Sequence, residues 1–229
     1  MARSKEFDPE RALAQAMNVF WRVGYEKTSI EVLMREMGVA KQSLYDTFGG
    51  KRDLYMKALA YYRDVTNGEM ERLLAKTPSV KEGFAKLLYG LAGETPEQHE
   101  RGCLLLSANL QRDPSDVVLT DFLRDNQARV EAIFVNALRR AQKQGELSAA
   151  RDPAALGRFF VVTIQGMRAM ARLKSDRKAL EQVARVALAI LISSRERRLC
   201  VYLIPVVGDT SDTEKHEKWG FRSNGCNKN

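Results

Sequence analysis

From about residue 8 to about residue 198, apolar residues recur at the three- and four-residue spacing of a helix. The first segment opens on Asp8-Pro9, an N-cap followed by a proline whose missing N–H costs nothing in a first turn. It carries Leu13, Met17 and Phe20 on one side, and Gly24 stops it. A second start follows at once. Thr28-Ser29-Ile30-Glu31 has the spacing of a capping box with Thr28 as the cap, and Ile30, Leu33, Met34 and Met37 form a stripe that Gly38 ends. A short third helix is expected from about Lys41 to Phe48, with Leu44 and Phe48 inward and Gly49-Gly50 as its break. A fourth begins near Lys51 and turns Leu54, Ala58, Tyr62 and Val65 inward.

A longer helical block follows. Ser79-Val80-Lys81-Glu82 is another capping box ahead of Phe84, Leu87, Leu88 and Leu91. Helices are expected over about 102–111, 116–144, 153–173 and 176–196, with Asp113-Pro114-Ser115 as a break and Asp152-Pro153 as a start signal. From Leu199 the period is lost: a short apolar run with an internal proline leads into a polar segment. The pattern predicts an all-α chain: an N-terminal three-helix unit (1–50), a connecting fourth helix (51–75), a larger helical domain (76–198) and an atypical C-terminal tail (199–229).

Composition narrows the class. Three cysteines, Cys103, Cys200 and Cys226, are too few and too scattered for a disulfide framework. With two histidines, His99 and His216, no His-rich metal site is expected. Neither a metal nor a cofactor is anticipated. No stretch is long and apolar enough to span a membrane, and the N-terminus lacks the apolar core of a secretory signal, so a cytoplasmic protein is expected. No zinc, α/β-hydrolase or dithiol motif is present. Gly50-Lys51 is followed by Arg52 where a phosphate loop needs Ser or Thr. No catalytic residue and no enzyme activity are expected. The net charge is +8, concentrated in residues 139–198, whereas residues 1–75 are nearly neutral.

The chemistry lies in the first unit nonetheless. Two short helices joined by a tight turn, with a third ahead of them, have the layout of a helix-turn-helix. Ile30–Met37 supplies the supporting helix, Gly38-Val39-Ala40 the turn, and Lys41–Phe48 the recognition helix. Its first turn is polar, as entry into a major groove requires. Gln42 suits an adenine edge and Ser43 several bases. Thr28, Tyr45, Lys41 and Lys51, beside helix N-termini, suit phosphates. Spacing alone leaves open a plain helical hairpin with solvated polar residues.

Residues 10–62 resemble the TetR family of bacterial transcriptional regulators. The resemblance rests on Gly24-Tyr25, Thr28-Ser29-Ile30, Met37-Gly38-Val39 and Leu44-Tyr45-Asp46-Thr47-Phe48-Gly49-Gly50-Lys51-Arg52-Asp53-Leu54. It implies a homodimer that binds a palindromic double-stranded DNA operator and usually represses. It also implies a helical C-terminal domain that binds a small-molecule effector and dimerises through its last two helices. By position, Thr28, Tyr45 and Lys51 would contact phosphates, while Lys41, Gln42 and Ser43 would face the groove. Ala40 departs from the serine frequent in the family and removes a helix cap. Thr47 and Gln42 also depart, so the operator sequence does not carry over.

The second domain has to be read from its side chains. Pocket-wall candidates are Tyr89, Leu105, Phe122, Phe134, Phe159, Phe160 and Met167, with Asn109, Asn126, Thr163 and Gln165 as polar handles. Each aromatic equally suits an ordinary core. Cys103, in Arg101-Gly102-Cys103-Leu104-Leu105, is either a small buried residue or the thiol of a redox- or electrophile-sensing regulator. A helical ligand-binding protein without DNA binding is the other alternative. Leu156, Phe159, Phe160, Ile164 and Met167, then Leu180, Val183, Ala184, Ala187, Leu188 and Leu191, give the last two helices wide apolar faces for a dimer contact.

Overall fold

Ten α-helices and no strand are found among residues 7–191, the part of the chain that the computed structural model describes. All of these residues belong to the first of the two units, 1–193 and 194–229, into which the chain divides. The apolar run from Leu199 and the segment after it lie outside the described residues.

The first three helices are α1 (Pro9–Val23), α2 (Ile30–Met37) and α3 (Lys41–Phe48). Asp8 caps α1 by accepting from the N–H groups of Glu10 and Arg11. Gly24, at φ 87°, ends it in a backbone conformation that a side chain would disfavour. At α2 the expected cap is corrected. Ser29, not Thr28, is the N-cap, and its hydroxyl accepts from the Val32 N–H. Thr28 turns inward instead, and its Oγ1 donates to the Gly24 carbonyl at 2.6 Å. Gly38 adopts the left-handed conformation between α2 and α3 (φ 65°, ψ 34°). Ala40 provides no side-chain cap to α3.

Helix α4 (Lys51–Lys76) is a single long rod. Leu54, Ala58 and Tyr62 face inward as expected, but Val65 is 41% exposed. Over this length the inward face drifts round the helix, because 3.6 residues per turn is not a whole multiple of the stripe spacing. Then come α5 (Val80–Ala92), α6 (Pro96–Arg101), α7 (Leu104–Gln111), α8 (Val117–Lys143), α9 (Pro153–Leu173) and α10 (Arg177–Ala189). Helix α6 has no counterpart in the sequence reading, although Thr95-Pro96-Glu97-Gln98 carried its signal. Thr95 and Gln98 form a reciprocal capping box around Pro96.

Two apolar clusters hold the described fold. One joins α1–α4 to Leu104, Leu105 and Ala108 of α7 and to Leu119 and Leu123 of α8. The other joins the end of α4 to α5, the rest of α8, α9 and α10 around Phe84, Phe134 and Phe160. Phe84 stacks on Phe160 at 4.1 Å and meets Phe134 edge-on at 5.2 Å. Fully burying such a side chain contributes roughly 1.5–3 kcal/mol. Helices α4 and α8 pass through both clusters, so each reaches from the N-terminal helices into the C-terminal ones.

Candidate nucleic-acid interface and effector cavity

Leu44 and Phe48 anchor α3 in the N-terminal core together with Leu33, Met37 and Val39. That anchorage turns the other side of α3 to solvent. Lys41, Gln42 and Tyr45 are exposed and Ser43 is half-buried. The Gln42 amide nitrogen donates to Asp46 Oδ1 at 2.8 Å, which ties the amide to its own helix. At the start of α4, Lys51 lies with Nζ 4.3 Å above the centre of the Tyr25 ring. A cation held on a ring face is localised without being neutralised. The α3–α4 turn is tight: Gly49 has φ 83°, and a Cβ there would come within 2.4 Å of Asp53 Oδ2. Asp53 Oδ2 in turn accepts from the Gly50 N–H at 3.2 Å.

Lys41, Gln42, Ser43, Tyr45 and Lys51 therefore fall on α3 and the adjoining first turn of α4. Thr28 does not join them. It is 1% exposed and its hydroxyl proton is committed to Gly24. A threonine between a turn and a helix can cap forwards or bond backwards, and the backward bond wins because Ser29 occupies the cap. At α2, Glu31's own backbone N–H and the Ser29 side chain hold the Glu31 carboxyl below its usual range.

A cavity of about 610 Å³ lies between α4, α5, α7, α8 and α9. Of the sequence candidates, Cys103, Leu105, Asn109, Asn126, Phe134 and Gln165 line it. The others do not. Tyr89 and Phe159 are 41% and 38% exposed, and Met167 and Phe160 are buried in the C-terminal core. Phe122 packs on the N-terminal cluster, with the Arg63 guanidinium 5.0 Å from its ring centre. Thr163 donates to its own helix at the Phe159 carbonyl. These residues share helices with the true lining but point along other faces.

The main omission was α4. Tyr62, Thr66, Asn67, Met70 and Leu73 all line the cavity, and a connecting helix gave no reason to look there. Burial above all, then the neighbouring Cys103 thiol, pushes the Tyr62 phenol above its ordinary value. Trp21 of α1 meets Tyr62 edge-on at 4.8 Å and donates its indole N–H to the Gly102 carbonyl at 3.0 Å. One residue after Gly102, Cys103 is in the cavity wall.

The dimer faces also need correction. Leu156, Phe160 and Met167 of α9, with Leu180, Ala184, Ala187, Leu188 and Leu191 on and just past α10, are buried within the chain. Ile164 also packs on this core. What remains exposed is a stripe of Phe159, Val162, Met170 and Leu173 on α9 and Val183 and Val186 on α10. No helix among the described residues is long and apolar enough to cross a membrane.

Comparisons with known proteins agree with this architecture. The family model for bacterial regulatory proteins of the tetR family matches residues 12–58, and that for the tetracyclin repressor-like C-terminal domain matches residues 89–187. An uncharacterized HTH-type transcriptional regulator of Bacillus subtilis, YezE, is 32% identical over 193 residues, covering 83% of this chain and 100% of YezE. The Escherichia coli HTH-type transcriptional repressor ComR is 29% identical, covering 82% of this chain and 90% of its own. A cysteine mutant of the TetR family transcriptional regulator CifR, solved with 26-base-pair double-strand operator DNA, superposes with a TM-score of 0.73. It is 32% identical over 82% of this chain and 98% of that one. With the helix-turn-helix at its N-terminus and the matching helical C-terminal part, this chain belongs to the TetR family of bacterial regulators and is a DNA-binding transcriptional regulator.

Proposed function

We propose that the chain represses transcription as a homodimer on a palindromic operator, and that a small molecule in the α4–α9 cavity releases it. Residues 1–50 with Lys51 read DNA, α4 connects and supplies one wall of the cavity, and α5 to α10 complete the effector site and dimerise. Lys41, Gln42 and Ser43 face the major groove, while Tyr45 and Lys51 hold phosphates. Thr28 fixes the entry into α2 through its bond to Gly24 and makes no phosphate contact. The observation that carries the reading is the exposed polar face of α3, flanked by Lys51, on a helix anchored by Leu44 and Phe48. Its near neutrality is no obstacle, since helix N-termini and a few localised cations suffice for phosphate contacts. A repressor relative and an operator-bound family member support repression at an operator.

The exposed apolar stripe on α9 and α10 supports the dimer, because a contiguous apolar patch on a helix pair needs a partner. Gly166 lies among the exposed residues of that stripe and has open space above it, which allows a second helix to approach closely. Two recognition helices would then sit about one DNA turn or somewhat more apart. Selection of bound duplexes from a random pool tests the proposal. Enrichment of a palindrome is expected, and none from folded, dimeric protein would overturn it.

A further inference from the structure

We infer that the cavity takes a neutral molecule with an apolar body and an uncharged hydrogen-bonding head. This rests on the effector reading given above and names the chemistry of the ligand. Helices α4 and α8 run in the same direction through the wall, as three cross-contacts show: Arg52 to Asp116, Asn67 to Asn126, and the Leu74 carbonyl to Arg140. On both helices the uncharged polar lining residues lie in the earlier part of the wall, joined on α8 by the apolar Leu123. Asn67 precedes Met70 and Leu73 on α4, and Thr120 and Asn126 precede Val130 and Phe134 on α8. A polar level, with Leu105 and Leu123 also in its wall, therefore lies toward the N-terminal helices, and an apolar level lies against the Phe84–Phe134 core.

The polar level has unused hydrogen-bonding capacity. Thr120 Oγ1 is buried and, among the described residues, has no hydrogen-bond partner. It is a wall residue, so a ligand head supplies what the fold does not. The Asn67 amide nitrogen donates to Asn126 Oδ1 at 3.1 Å. That bond leaves an acceptor on Asn67 and donors on Asn126, a set that suits a hydroxyl or a carboxamide.

The charged wall residues are mostly spoken for. Arg168 holds both oxygens of Glu94 at 3.3 Å, Arg158 pairs with Glu131 at 2.9 Å, and Arg124 pairs with Asp121 at 3.4 Å. Arg112 donates to Asn109 Oδ1 at 3.3 Å, and Glu69 is exposed to solvent. Among the described residues Arg112 is the wall cation without a carboxylate partner, and it is half-buried and already bonded to Asn109, so an ionised head at the Thr120–Asn126 level would give up its water shell for little counter-charge.

A matched series tests this on the purified full chain: 1-decanol, decanoate and decylammonium at neutral pH, read by the shift in thermal unfolding. The alcohol is expected to stabilise the chain at concentrations at least tenfold below either ion. An ion acting as well as the alcohol overturns the inference, and so does a series in which nothing shifts the transition. Thr120→Val keeps the shape and removes the hydroxyl. It is expected to weaken the alcohol several-fold, and Asn126→Leu about tenfold. Unchanged affinity in both variants also overturns it. Release of selected operator DNA is read in parallel. An alcohol that binds without releasing DNA defeats the effector reading and leaves the ligand class standing. An ion that binds and releases DNA does the reverse.

Discussion

Arg52 and Asp116 form an ion pair, with 2.5 Å between Nη2 and Oδ2, that ties the first turn of α4 to the N-cap of α8. The other carboxylate oxygen of Asp116 accepts the Leu119 N–H at 3.0 Å, so one side chain both caps a helix and joins two. Lys51 precedes Arg52 and Thr120 lies one turn beyond Asp116. The pair therefore stands between the proposed phosphate contact and the cavity. Asp116→Ala is expected to destabilise the chain by about 1–2 kcal/mol, mostly through the lost cap. Asp116→Asn, which still caps, should cost less. A double-mutant cycle with Arg52→Ala, read by urea unfolding, should give a coupling of about 0.2–1 kcal/mol, because both side chains are partly exposed.

Lys51 and Tyr45 separate DNA contact from folding. Lys51→Ala should weaken operator binding uniformly across sequences and lower the magnitude of the salt slope by about 1. It also removes the cation from the Tyr25 ring, worth about 0.5–1 kcal/mol of stability at most. Tyr45→Phe should lower operator affinity several-fold with an unchanged melting temperature, since the side chain is 44% exposed. Operator titration at several salt concentrations, beside circular dichroism, checks both. Unaltered affinity in both variants would remove these residues from the interface.

The buried tyrosines make an alkaline prediction. Burial, opposed in part by Arg52, pushes the Tyr55 phenol from its ordinary 10.0 up to about 12. The unfolded chain then loses this proton first, so the contribution is intact below pH 10.0 and is lost as pH rises toward about 12. Tyr55→Phe keeps the ring between Phe20 and Tyr25, at 5.0 and 4.6 Å. The variant should show a shallower loss of stability over that window. An equally steep loss would assign the alkaline transition to other groups.

Two glycines of α9 should behave oppositely. A Cβ on Gly157 would sit 2.8 Å from Val135 Cγ2 of α8, so Gly157→Ala should cost about 1–3 kcal/mol by overpacking. Among the described residues nothing lies within 4 Å of a Cβ on Gly166. Gly166→Ala should gain up to about 1 kcal/mol of helix propensity in a monomer, yet loosen a dimer that closes over it. Sedimentation at several concentrations distinguishes these results. A Gly166→Ala dimer as tight as the original would move the interface elsewhere.

Much was legible in the sequence because it is local. Asp8-Pro9, Ser79 and Asp152-Pro153 mark helix starts through hydrogen bonds made within a few residues, and each lies at a start observed here. The positive-φ requirement at Gly38 and Gly49 is equally local. Where two neighbours compete for one local role, as Thr28 and Ser29 do for the α2 cap, spacing could not choose. Ser29 holds the cap, and Thr28 bonds back to the Gly24 carbonyl.

The α9 stripe shows where sequence reasoning ran out. Phe159 and Phe160 are adjacent and alike, yet one is 38% exposed and the other fully buried against Phe84. Apolar periodicity identifies a helix with an apolar face, but says nothing of whether that face meets its own chain, a second copy or a ligand. The order of helices and the recognition-helix chemistry were thus written in residue types and spacings a few positions long. The cavity lining on α4, the Arg52–Asp116 tie and the inward turn of Thr28 were not. The first two join residues dozens of positions apart, and Thr28 turns inward because a neighbour already holds the cap. Only the packing of one helix against another brings such groups together or keeps them apart.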